Sequence, residues 1–266
     1  MQARDAVAHV VEVRPHPLPY FTLVLDLPEE FAAAQPGQFV MFEPTGTLEP
    51  YLRRAFSVAD VSRNADGGAR MELLGKVVGR GTGAMARLRP GERRALLGPL
   101  GHGFTLPAAG PVALIAGGVG SAPLLLLARA LGERGIAFDF FYGGRTRRDL
   151  PRGEEFAALA ESSGGRFVAA TEDGSLGFAG RVTAALAAEL DAGRRYSTSF
   201  ACGPMPMLAA LAGLAAERGL AGEGALETEM GCGFGACLGC AVPHVSGRFA
   251  LCCKEGPVFR LDEVRW

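Results

Sequence analysis

The sequence predicts an α+β multidomain chain: an N-terminal antiparallel β-barrel, a doubly wound α/β domain and a small cysteine-rich C-terminal module. Three observations carry this. Before about position 105, short β-patterned runs are separated by Pro and Gly turns; beyond it, buried-strand patterns alternate with helical ones. Near the C-terminus, Cys232-x4-Cys237-x2-Cys240 is followed, after twelve intervening residues, by Cys253. The boundaries expected are 1–105, 106–222 and 223–266.

In the first module the β pattern covers residues 8–13, 21–27, 38–42 and 70–76, at the spacing of a small barrel. In the second, strands are expected at 112–116, 138–142, 167–170 and 199–201, and helices at 123–134, 154–161, 181–190 and 205–218. That alternation is the signature of a parallel, doubly wound sheet. Residues 95–128 carry no Asp, Glu, Lys or Arg, and 111–128 is long enough to imitate a membrane span. Gly117, Gly118, Gly120 and Pro123 argue instead for a strand, a turn and a helix start, since such a break leaves backbone groups unpaired in lipid.

Composition bounds the function. With 266 residues and 48% hydrophobic content the chain has ample core, and a formal charge of −1 gives no case for nucleic acid or a membrane surface. All six cysteines lie after position 200, which implies a reducing cytoplasm and not a disulfide framework. The N-terminus, MQARDAVAHVVEV, has an early acidic residue and no apolar core, so no signal peptide is expected.

The cysteine run has the plant-type ferredoxin spacing for four thiolates on one [2Fe-2S] cluster, which makes the chain an electron carrier. Gly231, Gly233, Gly235 and Gly239 interleave with the cysteines, letting the backbone fold tightly and aim N–H groups at sulfur. Zinc is the alternative, but structural zinc sites usually draw on two short Cys pairs. The fourth ligand stays open at this point, because Cys252 and Cys253 are adjacent. No Lys or Arg lies between Gly219 and Gly247, while Glu223, Glu227 and Glu229 precede the run; an acidic surround is expected to lower the cluster's potential.

Gly117-Gly118-Val119-Gly120-Ser121-Ala122-Pro123 stands where the first α/β strand meets its helix, a place where glycines let a pyrophosphate approach the backbone. The fingerprint is partial, with Pro123 in place of the third glycine, and a ligand-free tight turn is the alternative. Cys202-Gly203-Pro204 closes the last of those strands, on the edge where ligands collect. In the barrel, Arg54-Ala55-Phe56-Ser57, Lys76 and Gly79-Arg80-Gly81-Thr82 offer a cation, a hydroxyl, an aromatic face and a Gly-Thr turn, as a flavin dinucleotide requires. An Arg at a strand edge and a glycine hairpin are also commonplace.

Taken in order, Arg-x-Phe-Ser, Gly-Gly-x-Gly-x-Ala-Pro, Ala201-Cys202-Gly203-Pro204, the run from Glu229 to Cys240 and Cys253-Lys254-Glu255-Gly256-Pro257-Val258-Phe259 resemble the electron-transfer subunit of type B dihydroorotate dehydrogenase, within the ferredoxin reductase superfamily. The resemblance covers almost the whole chain. Its most family-specific parts are Gly256-Pro257-Val258-Phe259 and the run from Leu97 to Phe104. It implies a FAD barrel, an NAD domain and a [2Fe-2S] module, with Cys232, Cys237, Cys240 and Cys253 as ligands. By position it implies that Arg54, Ala55, Phe56 and Ser57 bind the FAD phosphate and ring. Leu74, Gly75 and Lys76 would line its ribityl and adenine side, and Gly81 with Thr82 would hold the pyrophosphate. Gly118 and Gly120 would face the nicotinamide dinucleotide, with Cys202 near the nicotinamide. Ala55 stands where the family usually has proline, and His102 where Asn is common.

NAD moves two electrons as hydride and an iron-sulfur cluster moves one, so a flavin must convert between them. The resemblance implies electron flow from FMN on a partner catalytic subunit, through the cluster and FAD, to NAD+, as dihydroorotate is oxidised to orotate. No pyrimidine site is legible in this chain, so that FMN-containing partner supplies it, in a heterotetramer with two of each subunit. The competing readings are an NAD(P)H-linked reductase subunit of another soluble complex, of the sulfhydrogenase or ferredoxin:NADP oxidoreductase type, and a zinc-stabilised interaction module. NAD versus NADP stays open, since Arg145, Arg147 and Arg148 suit a 2′-phosphate or plain solvent equally.

The adjacent cysteines yield a direct test. Cys253→Ser is expected to strip or destabilise the cluster, whereas Cys252→Ser keeps iron near about two per chain in an iron assay. The reverse pattern assigns the ligand to Cys252.

Overall fold

The computed structural model describes residues 3–47 and 49–266. The first module is a seven-stranded antiparallel sheet of β1 (Arg4–Pro15), β2 (Tyr20–Leu27), β3 (Phe39–Phe42), β4 (Arg54–Ser57), β5 (Asp60–Arg63), β6 (Ala69–Lys76) and β7 (Arg93–Leu100), with a short helix α1 (Arg80–Met85) after β6. The order is β4-β3-β7-β1-β2-β6-β5, and the sheet curls until β4 meets β6. Leu23, Leu25, Val40, Phe42, Met71 and Leu73 fill its interior. Strands β4, β5 and β7 have no counterpart among the predicted runs: β4 and β5 span four residues each, and β7 contains Gly98 and Pro99.

The second module comprises β8 (Val112–Gly117), α2 (Ala122–Glu133), β9 (Phe138–Gly144), α3 (Gly153–Ser162), β10 (Phe167–Thr171), β11 (Phe178–Ala179), α4 (Val182–Asp191), β12 (Ser199–Cys202), α5 (Met205–Arg218) and β13 (Gly222–Ala225). The charge-free run is therefore strand, turn and helix, and among the described residues no helix is long and apolar enough to cross a membrane. These strands pair in parallel, in the order β11-β10-β9-β8-β12-β13. Chain direction along the sheet reverses between β8 and β12, which opens a crevice at their C-terminal ends.

The C-terminal segment contains β14 (Ala241–Pro243), β15 (Phe249–Leu251), α6 (Cys252–Glu255) and β16 (Val258–Arg260). The expected boundary at 222 falls inside the sheet, because β13 begins at Gly222 and β16 adds antiparallel to its edge. The cysteine module has no core of its own. Cys240, Val242, Ala250, Cys252 and Cys253 pack in one cluster with Phe39, Met41 and Leu100 of the barrel and with Leu208 and Leu211 of α5. The two most distinctive sequence segments meet here: the His102 N–H donates to Gly256 O at 2.6 Å.

A polar seam joins barrel to α/β domain. Arg152, at the left-handed φ of 61°, turns its guanidinium inward so that Nη1 lies 2.6 Å from Glu72 Oε2, while Arg14 Nη1 lies 2.9 Å from Glu72 Oε1. The side chains of Arg152 and Glu72 are only 8% and 15% exposed. Arg129 Nε adds a contact to Asp60 Oδ2 at 2.9 Å. Burial pushes the Glu72 carboxyl up, but Arg152 and Arg14 outweigh it and hold it below the ordinary 4.5.

Removing Glu72 leaves the buried Arg152 guanidinium with Glu155 alone to offset its charge. Glu72→Ala is expected to lower unfolding free energy by about 3 kcal/mol at neutral pH, measured by denaturant titration. Because the folded pKa of Glu72 is depressed, wild type holds this stability above the unfolded value and loses it as pH falls through the folded one. The gap between the two proteins therefore narrows below pH 4.5.

Candidate functional site

The β8/β12 crevice opens toward the barrel and forms a cavity of about 730 Å³. On its barrel wall lie Ala55, Phe56 and Ser57 of β4, Leu74, Gly75 and Lys76 of β6, and Thr82 of α1. The sequence places these in separate motifs; the curl of the sheet that brings β4 against β6 unites them. Gly75 is required there, since a Cβ would lie 2.5 Å from Phe21 Cζ. Lys76 Nζ sits 5.4 Å from the Tyr20 ring centre, a cation over an aromatic face. Thr82 Oγ1 accepts from the Val78 and Gly79 N–H groups, tightening the turn. Arg54 and Gly81 do not line the cavity itself; the guanidinium lies over Gly81, where a Cβ would come within 2.9 Å of Arg54 Nε.

Across the cavity, Gly118 takes the left-handed φ of 55° at the end of β8 and lines the cleft. Gly120 does not face it. A Cβ at Gly120 would meet Cys202 O at 2.4 Å, so this glycine serves close packing of the turn against β12, a correction to its expected place against a dinucleotide. Cys202 lines the cavity, and its Sγ is 4.0 Å from Glu227 Oε1. Burial pushes the Cys202 thiol up, and the Glu227 charge adds to this. Glu227 is exposed on the cavity wall; desolvation by the surrounding protein raises its carboxyl above 4.5, with Lys76 partly opposing. Of the three arginines after β9, Arg145 lines the cavity, while Arg147 and Arg148 are exposed and away from it.

Several cavity residues carried no sequence signal: Tyr20, Asp149, Glu172 and Thr228. Each lies outside a recognisable motif and reaches the cleft only through the domain arrangement. The buried Thr228 Oγ1 lacks a hydrogen-bond partner, an orphaned group that a cofactor in this cleft can satisfy.

Cys240 Sγ lies 3.2 Å from Cys253 Sγ, and Cys232 is joined to Cys237 through the Cys237 N–H. Four cysteine sulfurs in this segment are the donor set that a [2Fe-2S] cluster takes. Backbone N–H groups point at the sulfurs, from Ala236 and Cys237 to Cys232 Sγ at 3.3 and 3.4 Å and from Cys253 to Cys240 Sγ at 3.4 Å. Burial raises the Cys232 thiol, but the N–H groups of Cys237, Phe234 and Ala236 outweigh it and pull it down to about 6. Cys252 points elsewhere: its Sγ faces Leu226 O at 3.6 Å, and burial pushes its thiol up to about 11. The acidic residues do not all surround the cysteines, since Glu223 accepts from the Thr105 N–H at 2.9 Å and Glu227 belongs to the cavity.

A flavin-type barrel, a dinucleotide crevice and a four-cysteine loop against one cleft define an NAD-linked iron-sulfur flavoprotein oxidoreductase. Comparison with known proteins gives the same class. Residues 114–212 match the oxidoreductase NAD-binding domain, and residues 227–265 match the iron-sulfur cluster binding domain of dihydroorotate dehydrogenase B. The electron transfer subunit of dihydroorotate dehydrogenase B (NAD(+)) from Desulforamulus reducens is 38% identical over 252 residues, 92% of each chain. That of Geobacillus thermodenitrificans is 39% identical over 236 residues, 86% of each, and the homolog from Aquifex aeolicus 36% over 248. Among solved structures, the NADH-dependent reduced ferredoxin-NADP oxidoreductase superposes with a TM-score of 0.84 at 29% identity, covering 97% of this chain and 90% of that one. The ferredoxin reductase of carbazole 1,9a-dioxygenase superposes at 0.69 and 28%, covering 83% and 67%.

The chain belongs to the family of electron transfer subunits of dihydroorotate dehydrogenase B. Its fold is ferredoxin reductase-like, and its cofactors are FAD, NAD and a [2Fe-2S] cluster.

The Arg54 guanidinium over Gly81 sets up a test. Arg54→Ala is expected to weaken FAD retention about tenfold or more, since charge-assisted bonds are each worth about 1.5–3 kcal/mol, while iron stays bound. Flavin absorbance after dialysis, beside an iron assay, checks it.

Proposed function

We propose that this chain carries electrons from an FMN-containing dihydroorotate dehydrogenase catalytic subunit to NAD+, in a cytoplasmic heterotetramer with two of each subunit, within pyrimidine biosynthesis. The observation that carries the reading is the junction between cluster loop and cleft. Cys252, next to Cys253, sets its thiol against Leu226 O at 3.6 Å, and Leu226 with Glu227 and Thr228 lines the cavity. Sulfurs that hold a cluster and a cleft that holds nucleotides are thus separated by a few packed residues.

Bound FAD supplies the exchange between two-electron hydride chemistry and one-electron chemistry. The chain's own residues hold and shield. In this reading Thr82 on the cavity wall, with the Arg54 guanidinium that lies over the neighbouring Gly81, holds the flavin's pyrophosphate, Ala55, Phe56 and Ser57 flank its ring, and Leu74, Gly75 and Lys76 flank its ribityl side. Gly118 receives the nicotinamide dinucleotide's phosphates, and Cys202 sits beside the nicotinamide. Cys232 with Cys237, and Cys240 with Cys253, are the cluster ligands. The partner is proposed to dock over the cysteine loop, where Phe234, Leu238 and Phe249 are 59%, 62% and 66% exposed and Cys237 reaches the surface.

A reductase subunit of another complex is the second reading, favoured by the likeness over nearly the whole chain to the NADH-dependent ferredoxin-NADP oxidoreductase. One experiment addresses both. Reconstituted with a dihydroorotate dehydrogenase catalytic subunit, the wild-type chain is expected to reduce NAD+ at the expense of dihydroorotate. Cys232→Ser, verified iron-depleted with FAD retained, is expected to keep NADH-driven ferricyanide reduction and lose the coupled reaction. Coupling at the wild-type rate without iron excludes the cluster relay, and no coupling by wild type favours the second reading.

A further inference from the structure

The loop that follows β9 is built on a residue of the α/β domain that the barrel holds. Asp149 folds the segment Gly144–Asp149 back on itself: its Oδ2 accepts from the Thr146 N–H at 3.2 Å and lies 3.5 Å from Thr146 Oγ1. Its other oxygen, Oδ1, accepts from the Tyr20 hydroxyl at 2.9 Å, across the domain boundary. Tyr20 is itself fixed. It opens β2, is 3% exposed, and its ring lies under Lys76 Nζ on the flavin wall. The same hydroxyl stands beside the glycine turn, 3.5 Å from where a Cβ on Gly118 would be.

Gly144, Arg145, Asp149 and Gly118 all line the dinucleotide side of the cavity, whereas Lys76 lines the flavin side. One side chain therefore touches the shaping residue of the nucleotide loop and the flavin wall and stands beside the glycine turn. We propose that Tyr20 is a positioning residue for the nicotinamide dinucleotide: from the barrel, through Asp149, it holds the Gly144–Asp149 loop and its distance from the Gly118 turn in the shape that receives the nucleotide. This rests on the reading that NAD occupies the β8/β12 crevice. The barrel thereby takes part in a binding site whose other members belong to the α/β domain, and NAD affinity depends on the seam between them.

The test uses the full chain with FAD and cluster bound, Tyr20→Phe and Asp149→Asn singly and together, and NADH as the probe. Tyr20→Phe keeps the ring under Lys76 and deletes only the hydroxyl, so FAD and iron contents stay at wild-type level. Loss of a hydrogen bond to a carboxylate is expected to raise the dissociation constant for NADH, measured on anaerobic protein by equilibrium dialysis with NAD+ as the unreactive check, about tenfold. KM in ferricyanide reduction is expected to rise in step, with kcat changing less than about twofold, because the group acts on binding and not on hydride transfer. In the Asp149→Asn background the Tyr20→Phe penalty is expected to shrink, since the two share one interaction. Wild-type affinity in Tyr20→Phe, or an undiminished penalty in the Asp149→Asn background, overturns the proposal. Failure of wild type to bind NADH overturns the crevice assignment instead, and with it the proposal.

Discussion

The hydrophobic core around Cys252 and Cys253 is the constraint on which the molecule's arrangement depends. An electron carrier must hold its redox groups close together, yet a segment of about forty residues does not bury enough apolar surface to stand alone. Here the cysteine segment borrows its core, sharing it with Phe39, Met41 and Leu100 of the barrel and with Leu208 and Leu211 of α5. Its last strand, β16, closes an edge of the α/β sheet and so removes an exposed ladder at the same time. The four sulfurs are placed relative to the cleft by packing against both other modules.

The barrel and the α/β domain meet through polar groups, and this has a different consequence. Glu72 with Arg14 and Arg152 forms directional contacts, and Asp60 with Arg129 adds a close ion pair, which together specify how one domain is turned against the other. A buried ion pair is weak evidence for net stability, because desolvation offsets the attraction, but a mismatched one is costly. The seam therefore selects orientation more than it adds free energy. Orientation is what a cleft with two nucleotide walls needs, since a small rotation would separate Lys76 and Ser57 from Gly118 and Cys202.

What the sequence made legible follows from how local each signal is. The strand Val112–Gly117 is an unbroken apolar run, as a parallel strand buried on both faces must be, Phe138–Gly144 departs from one at the buried Asp139, and Pro123 marks the start of the helix after the first. Strands β4 and β5 are short and partly exposed, and β13 is half glycine, so periodicity says little about them. The same division runs through the site. Gly118 and Cys202 stand in motifs and line the cleft, and the cysteine run stands in a motif of its own. Gly120 is not on the cavity wall: a glycine spaced for phosphate and a glycine spaced for strand contact look alike in sequence, and the Cys202 carbonyl lies against this one. Tyr20, Asp149 and Glu227 have meaning only once two modules are assembled.

In the cysteine segment the backbone turns the two neighbouring thiols in different directions. Both lie in α6, and successive side chains on a helix point about 100° apart, so the two adjacent thiols face different ways. Cys253 is turned to Cys240, whose sulfur also receives the Cys253 N–H, while Cys252 is turned inward to Leu226 O. The Cys252 N–H, in turn, donates to Cys240 O at 3.0 Å and pins the helix to the loop. A one-residue slip of α6 would break both backbone bonds together and carry a different thiol toward Cys240. The pairing of Cys240 with Cys253 is thus held by main-chain hydrogen bonds that do not depend on a cluster, and the inward thiol of Cys252 keeps the loop against the wall of the cleft.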